Sequence, residues 1–379
     1  MKNNRIIWAV SLILIIYTSV LPLSVGATGA GAAELDFCSQ SQNPMDVYEE
    51  SIPTLADDVR VGSRFWELLF GNDDSGEEEI VLLPGGDVFG VRIKQKRVTV
   101  TESRGVPALK SGDVILSING EEVGSAGEIK SIIENSAGES LTIRALHKGN
   151  EIAVEVRPTL EDGKYRLGLV LRDSAAGLGT ITFIDPKTGR FGGLGHGICD
   201  ADSGEVIEME GGDVCGVILG GIHKGENGKP GELYGVLTDR DLGDVDVNCE
   251  CGVFGVMSNI PSSQQTVSIG RRDDVTEGEA TILSTLKNGK TAEYKIEIYD
   301  VDHSSEGSKS FRIRITDETL KALTGGIVRG MSGSPIIQNG RLIGAVTHVL
   351  VADPTEGYGI FIENMLNVSK RLDAEYPAA

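Results

Sequence analysis

The strongest constraint on this chain is how its apolar residues recur: at every second position, in short runs interrupted by glycine. Leu167, Leu169 and Leu171 alternate in this way, as do Phe311, Ile313 and Ile315, and the stretches 180–184, 265–269, 278–286, 292–298 and 342–351 read as further strands. A period of two marks a strand with one buried face. The chain's 50 glycines supply the turns between such strands, and with aromatic residues at only 5% they favour β-rich architecture over a helical bundle. The fold class expected is mainly β. Two series of short strands over 161–370, split near 255–261, fit two packed barrels, and only the tail after Glu363 looks helical again.

Residues 1–33 read as an export segment. Lys2 and Arg5 precede an apolar run that starts at Ile6 and ends among small residues, where Ala30-Gly31-Ala32 offers an A-x-A cleavage site. The uninterrupted part, 6–16, is shorter than the roughly 20 residues a spanning helix needs, whereas a stretch extended to Leu23 is long enough to cross. The segment is therefore either a cleaved signal peptide or a retained membrane anchor. Both options place the rest of the chain outside the cytoplasm. Residues 34–80 form an acidic tether with one apolar patch, 65–70. The formal charge of −21 argues against nucleic acid as a partner, since phosphate binding needs clustered Lys and Arg. Five cysteines are present, but Cys249 and Cys251 lack a second pair at metal-binding spacing, so neither a metal nor a cofactor is expected.

Residues 81–160 have a pattern of their own. Within it, Ala108-Leu109-Lys110-Ser111-Gly112-Asp113-Val114-Ile115-Leu116-Ser117-Ile118-Asn119-Gly120 combines a short helical turn, an alternating strand and an Asn-Gly hairpin signal. Ile129, Ile132 and Ile133 then fall at helical spacing, followed by two alternating strands. This segment resembles a PDZ domain, in which an extended peptide adds to a sheet edge and backbone amides hold its terminal carboxylate. Val88, Phe89, Gly90 and Val91 are the candidate carboxylate-binding loop.

The chemistry concentrates in Gly330-Met331-Ser332-Gly333-Ser334-Pro335, which is followed by an apolar pair, a turn, and the strand Leu342-Ile343-Gly344-Ala345-Val346. Glycines allow a turn tight enough for the N–H groups of Gly330 and Ser332 to face one oxygen, which is what stabilises a tetrahedral oxyanion. The pattern resembles the nucleophile region of trypsin-like serine peptidases. A serine hydroxyl must lose a proton as it attacks, so a base is required. Of five histidines, His147 lies in the PDZ-like segment, His303 in a polar loop and His223 beside a cation, while His348 falls on a strand that walls the pocket. His196, in a glycine-flanked turn after a strand and ahead of the serine, suits the base. The acid stays open on residues alone: Asp200 and Asp202 are near, Asp317 precedes the serine, and chain order favours the cluster Asp239, Asp241, Asp244 and Asp246.

Four segments carry a more specific resemblance: Lys164-Tyr165-Arg166-Leu167-Gly168-Leu169, the stretch 172–180, the stretch 191–197, and Gly325-Gly326-Ile327-Val328-Arg329-Gly330-Met331-Ser332. Together they are similar to the stage IV sporulation protein B family of signalling serine peptidases from endospore-forming bacteria. The resemblance implies a PDZ domain followed by a chymotrypsin-like double β-barrel, with a triad on His196, Asp317 and Ser332. It implies self-cleavage, possession of a peptide ligand for the PDZ domain (the chain's own N-terminal region or a substrate tail), and action in the space between forespore and mother cell. The substrate implied is a membrane-bound regulator whose cleavage releases an intramembrane protease that processes a mother-cell sigma factor precursor. Two other functions fit the same residues: a PDZ scaffold with an inactive peptidase domain, and a degradative quality-control protease.

Overall fold

The computed structural model describes residues 33–34, 79–201, 204–261, 265–287 and 289–375. The export segment and most of the acidic tether lie outside the described residues. Two closed barrels and an inserted PDZ domain make up the rest.

The first barrel is built from β1 (Val81–Pro84), β2 (Val88–Ser103), β6 (Leu169–Ile184), β7 (Arg190–Gly193), β8 (Met209–His223), β9 (Glu232–Cys249) and β10 (Gly252–Met257). Six of these close in the order β2–β6–β7–β10–β9–β8 and back to β2. The interior is filled by Phe89, Val91, Phe191, Val214 and Val253, each essentially inaccessible to solvent. A small barrel packed with side chains has no free edge and no pore. The second barrel closes six strands: β11 (Gly278–Lys287), β12 (Lys290–Tyr299), β13 (Phe311–Ile315), β14 (Pro335–Gln338), β15 (Arg341–Val349) and β16 (Glu356–Phe361). The alternation at Phe311, Ile313 and Ile315 turns all three into its core. Between the barrels, Leu82, Phe183 and Phe254 meet Leu342, Ala345 and Ile360, and the C-terminal helix α3 (Ile362–Glu375) covers this seam with Ile362, Met365 and Leu366.

The PDZ domain does not precede the peptidase domain. It is inserted between the first two long strands of the first barrel. The 16-residue β2 pairs with β6 and β8 through 90–95, then continues past Val98 into the PDZ sheet, where Val98 and Thr99 pair with β3 (Val114–Ile118). The equally long β6 starts in the PDZ domain, with Leu169–Arg172 opposite 99–103, and ends in the barrel. Between them come β3, α1 (Ala126–Asn135), β4 (Leu141–His147) and β5 (Asn150–Val156) around a separate core of Val98, Ile115, Ile129 and Ile143. The boundaries read from sequence, 81–160 and 161–370, are corrected accordingly. Bulges explain how two continuous strands serve two domains: the β2–β6 register shifts between Val170 and Leu171 and again between Arg172 and Ser174.

Candidate active site

Ser332 sits on a turn whose peptide planes are fixed one by one. The Arg329 carbonyl accepts from Leu233 N–H at 2.8 Å, and the Met331 carbonyl accepts from Ser334 N–H at 2.9 Å. In a trans peptide the N–H points opposite to its carbonyl. These two bonds therefore turn the N–H groups of Gly330 and Ser332 the other way. Among the described residues neither of these N–H groups has an acceptor. The intervening carbonyls are held by one residue of β6: Thr180 Oγ1 donates to the Gly330 carbonyl at 2.8 Å, and Thr180 N–H donates to the Ser332 carbonyl at 2.9 Å. Gly330, at φ +94°, adopts a conformation that favours glycine.

The histidine turn packs directly on the serine turn. A Cβ added to Gly333 would lie 2.5 Å from the Leu194 nitrogen, so glycine is required for the two turns to touch. Leu194 and Gly195 have φ of +65° and +69°, a left-handed pair that aims His196 inward; at a leucine such a conformation is strained and is held by its surroundings. Leu194 N–H donates to the Thr180 carbonyl at 3.2 Å, so Thr180 touches both turns. Beyond His196, Asn248 braces the loop through bonds to both the N–H and the carbonyl of Ile198.

His196 is buried, and its Nδ1 lies 2.9 Å from the Gly197 carbonyl. A carbonyl only accepts, so Nδ1 carries the proton and Nε2 presents its lone pair, as a general base requires. Burial pushes the His196 pKa below its ordinary value, although the Gly197 bond opposes this. The ring stacks against His348, with centroids 4.9 Å apart. His348 follows Thr347, whose carbonyl accepts the Ser332 hydroxyl at 2.7 Å. Serine and histidine thus converge on the Thr347–His348 segment of β15, with the hydroxyl turned to Thr347 rather than to the imidazole. His348 itself is pushed down to about 3 by burial, with further contributions from His196 and Lys309.

Asp317 is not brought to His196. It caps helix α2 (Glu318–Thr324), where its carboxylate accepts from Leu320 N–H at 2.9 Å and Lys295 N–H at 3.3 Å. Of the alternative aspartates, Asp200 pairs with Arg172, Asp246 pairs with Arg190 and Asp241 accepts from Gly243 N–H, while Asp202 lies outside the described residues. His147 bonds Asp113 in the PDZ domain, His223 stacks on Tyr234, and His303 stacks on Phe361. His348, read from sequence as pocket wall, is the residue whose place beside the base was missed. Only its position on the strand after the serine pointed to it.

Val88, Phe89, Gly90 and Val91 are not a peptide-binding loop. They lie in β2 with both edges paired: Gly90 opposes Leu178 on one side and Cys215 on the other. Phe89 and Val91 are core residues, and a Cβ on Gly90 would lie 2.7 Å from Cys215 Sγ. The apolar-Gly-apolar signature that misled recurs at Leu167-Gly168-Leu169, and there it borders an open groove of about 720 Å³ between α1 and the start of β6. Leu169 and Leu171 form one wall, Ile133 and Lys130 the other, with Arg166 nearby. Among the described residues, the edge of 169–171 facing α1 has no strand partner. This is where an added peptide strand fits.

Two packed β-barrels with a serine on a glycine-rich turn and a histidine turn packed against it are the architecture of the trypsin-like serine peptidases, and in this chain a PDZ domain is inserted into the first barrel. The family model described as SpoIVB peptidase S55 matches residues 163–366, more than half of the chain. The chain belongs to that family and is a serine peptidase. No curated protein matches it. Among solved structures, the PDZ domain of an SdrC-like protein from Listeria monocytogenes is 25% identical, covering 21% of this chain and 93% of that one, at a TM-score of 0.20. The active form of the Rv3671c protease from M. tuberculosis is 14% identical over 66% of this chain and 86% of its own, at a TM-score of 0.31. The HtrA-type protease AlgW, solved with a tripeptide, is 14% identical over 52% of this chain and 56% of its own, at a TM-score of 0.31.

Proposed function

We propose that this peptidase is exported, cleaves itself, and then cuts a membrane-bound regulator during sporulation, which releases an intramembrane protease to process a mother-cell sigma factor precursor. The single observation carrying the chemistry is the Ser332 turn, whose Gly330 and Ser332 N–H groups have no acceptor among the described residues, pressed against the His196 turn. Family membership supports the sporulation setting. The apolar leader at 1–33 supports export, with the working site in the space between the forespore and mother-cell membranes.

In the reaction, the Ser332 hydroxyl leaves the Thr347 carbonyl and turns to His196 by rotation about its Cα–Cβ bond. Its oxygen bonds to the scissile carbonyl carbon as its proton passes to His196 Nε2. The Gly330 and Ser332 N–H groups take the resulting oxyanion. His196 then delivers the proton to the departing amine as the C–N bond breaks, and water repeats the sequence to free the acyl group. The vacated Thr347 carbonyl is then open to the N–H of the bound peptide. The groove between α1 and β6 takes a peptide tail, from the substrate or from the chain's own N-terminal region. A groove holding one tail suits cleavage at few sites better than broad degradation.

The deciding experiment expresses wild type and Ser332→Ala with the candidate regulator and sequences the N-termini of every species formed. New N-termini at one or two sites in the wild type, absent from the variant, are expected. Identical species in both would remove the peptidase reading.

A further inference from the structure

We infer that strand β6 sets where a substrate is cut. A peptide whose C-terminal carboxylate is held at Leu167-Gly168-Leu169 runs back along one edge of β6 to Ser332 and is cleaved about ten residues before its end. This deepens the peptidase reading above and rests on it. One edge of β6 faces β2 from Leu169 to Thr180. The opposite edge carries three things in turn. At 169–171 it borders the groove beside α1, and at Ala175 and Ala176 it takes Ala33 and Glu34 as a short parallel strand. From Ile181 it pairs with β7, and just before that Thr180 N–H donates to the Ser332 carbonyl at 2.9 Å. Groove and nucleophile turn therefore share one strand edge, and the pairing of Ala33 and Glu34 shows that this edge accepts added backbone.

The far end of the groove suits a carboxylate. Arg104 N–H donates to the Gly168 carbonyl at 2.9 Å, so in this trans peptide Leu169 N–H points the other way, into the groove. Among the described residues the N–H groups of Leu167 and Gly168 have no acceptor. Arg166 and Lys130, both exposed, border the groove without a carboxylate partner among the described residues. Leu169, Leu171 and Ile133 offer contacts to an apolar last side chain. A peptide that ends at the start of β6 and adds to its edge must run antiparallel to it, so its earlier residues lead toward Thr180. It runs opposite to Ala33 and Glu34 and displaces them. Thr180 is occupied by the Ser332 turn. With a period of two, Leu178 is the next position whose backbone groups face this edge, and the register with β2 is one-to-one from Ser174 to Thr180. From Leu169 to Leu178 is nine steps along β6, about 30 Å at about 3.3 Å each. The residues that follow the scissile bond fill this span. Asp173 accepts from Ala126 N–H at 2.8 Å, which pins the helix wall of the groove to the strand, and β6 passes between the two domains without a linker. The backbone itself thus fixes the distance.

The test uses a random-sequence library of peptides ending in leucine, about twice as long as that track, made once as free acids and once as amides. Full-length wild type and Arg166→Glu digest each library, and mass spectrometry counts every cut from the peptide's C-terminus, with fluorophosphonate labelling of Ser332 measured alongside. Wild type is expected to cut the free acids mainly where about nine to thirteen residues remain on the C-terminal side. The amides lose the charge-assisted bonds at the loop, so they are expected to be cut about tenfold more slowly and with no favoured position. Arg166→Glu is expected to level the two libraries. Cuts spread as evenly in the free acids as in the amides, by a wild type that takes the label, would overturn the inference and leave the peptidase reading standing. A wild type that neither cuts nor takes the label would remove that reading and the inference with it.

Discussion

Thr180 carries more of the site's geometry than any residue that does chemistry. Its side chain, N–H and carbonyl each hold a different backbone group: Gly330 O, Ser332 O and Leu194 N. It is fully buried, so removing the hydroxyl leaves the Gly330 carbonyl without that donor while changing volume little. Thr180→Val is expected to lower Ser332 labelling about 10- to 100-fold, in the range below loss of a direct oxyanion donor, with the fold retained. Labelling equal to wild type would show that the turn holds its shape without Thr180. His196→Ala is expected to abolish labelling, since the Thr347 carbonyl that accepts the hydroxyl in the resting site is too weak a base to take its proton. At this scale the sequence was most legible. Ser332, His196 and Gly330 are tied to one another by the requirements of acyl transfer, and those requirements show in residue type and spacing. Asp317 was not legible as a cap, because an aspartate before an amphipathic turn and an aspartate behind a histidine look the same in one dimension.

The elements tell a different story, since period two says that a strand exists but not which sheet receives it. β2 and β6 each run through the first barrel and the PDZ domain without a break, so no composition change marks where one domain yields to the other. Val88-Phe89-Gly90-Val91 was misread for this reason. Apolar-Gly-apolar suits a barrel strand whose glycine lies against Cys215 as well as it suits a carboxylate loop. The continuity also has a mechanical consequence. Near the groove, Arg172 of β6 ion-pairs with Asp200 beyond the histidine turn at 3.3 Å, with side chains only 7% and 15% exposed. Breaking a buried pair from one side strands a charge and typically costs about 3–5 kcal/mol. Arg172→Met is therefore expected to lower the melting temperature markedly, and the double variant Arg172→Met, Asp200→Leu to recover much of the loss. Equal destabilisation in both would mean that the stability of this junction does not depend on the ion pair.

For the whole molecule, the close pairing of the buried His196 with the partly buried His348 makes stability depend on pH in a window set by their shifts. His348 drops from an ordinary value near 6.5 to about 3, because burial and the nearby His196 and Lys309 disfavour its charged form. His196 is lowered as well, chiefly by burial. A histidine whose folded pKa lies below its unfolded value binds its proton first in the unfolded chain. As pH falls below about 6.5 the unfolded state gains protons that the folded state does not, so stability is progressively lost down to about pH 3. The contribution of one such group has a limiting slope of about 1.4 kcal/mol per pH unit inside that window. His348→Phe keeps an aromatic ring against His196 and removes the titration. Melting temperatures of wild type and variant, measured in steps from pH 7 to pH 4, are expected to converge as the pH falls, the wild type losing stability faster by about one proton's worth. Acid neutralisation of the chain's many carboxylates acts on both proteins alike, so it cancels in the difference. Parallel curves would mean that His348 is charged or hydrated in the folded protein, and the stacked pair beside the serine would then need a different electrostatic account.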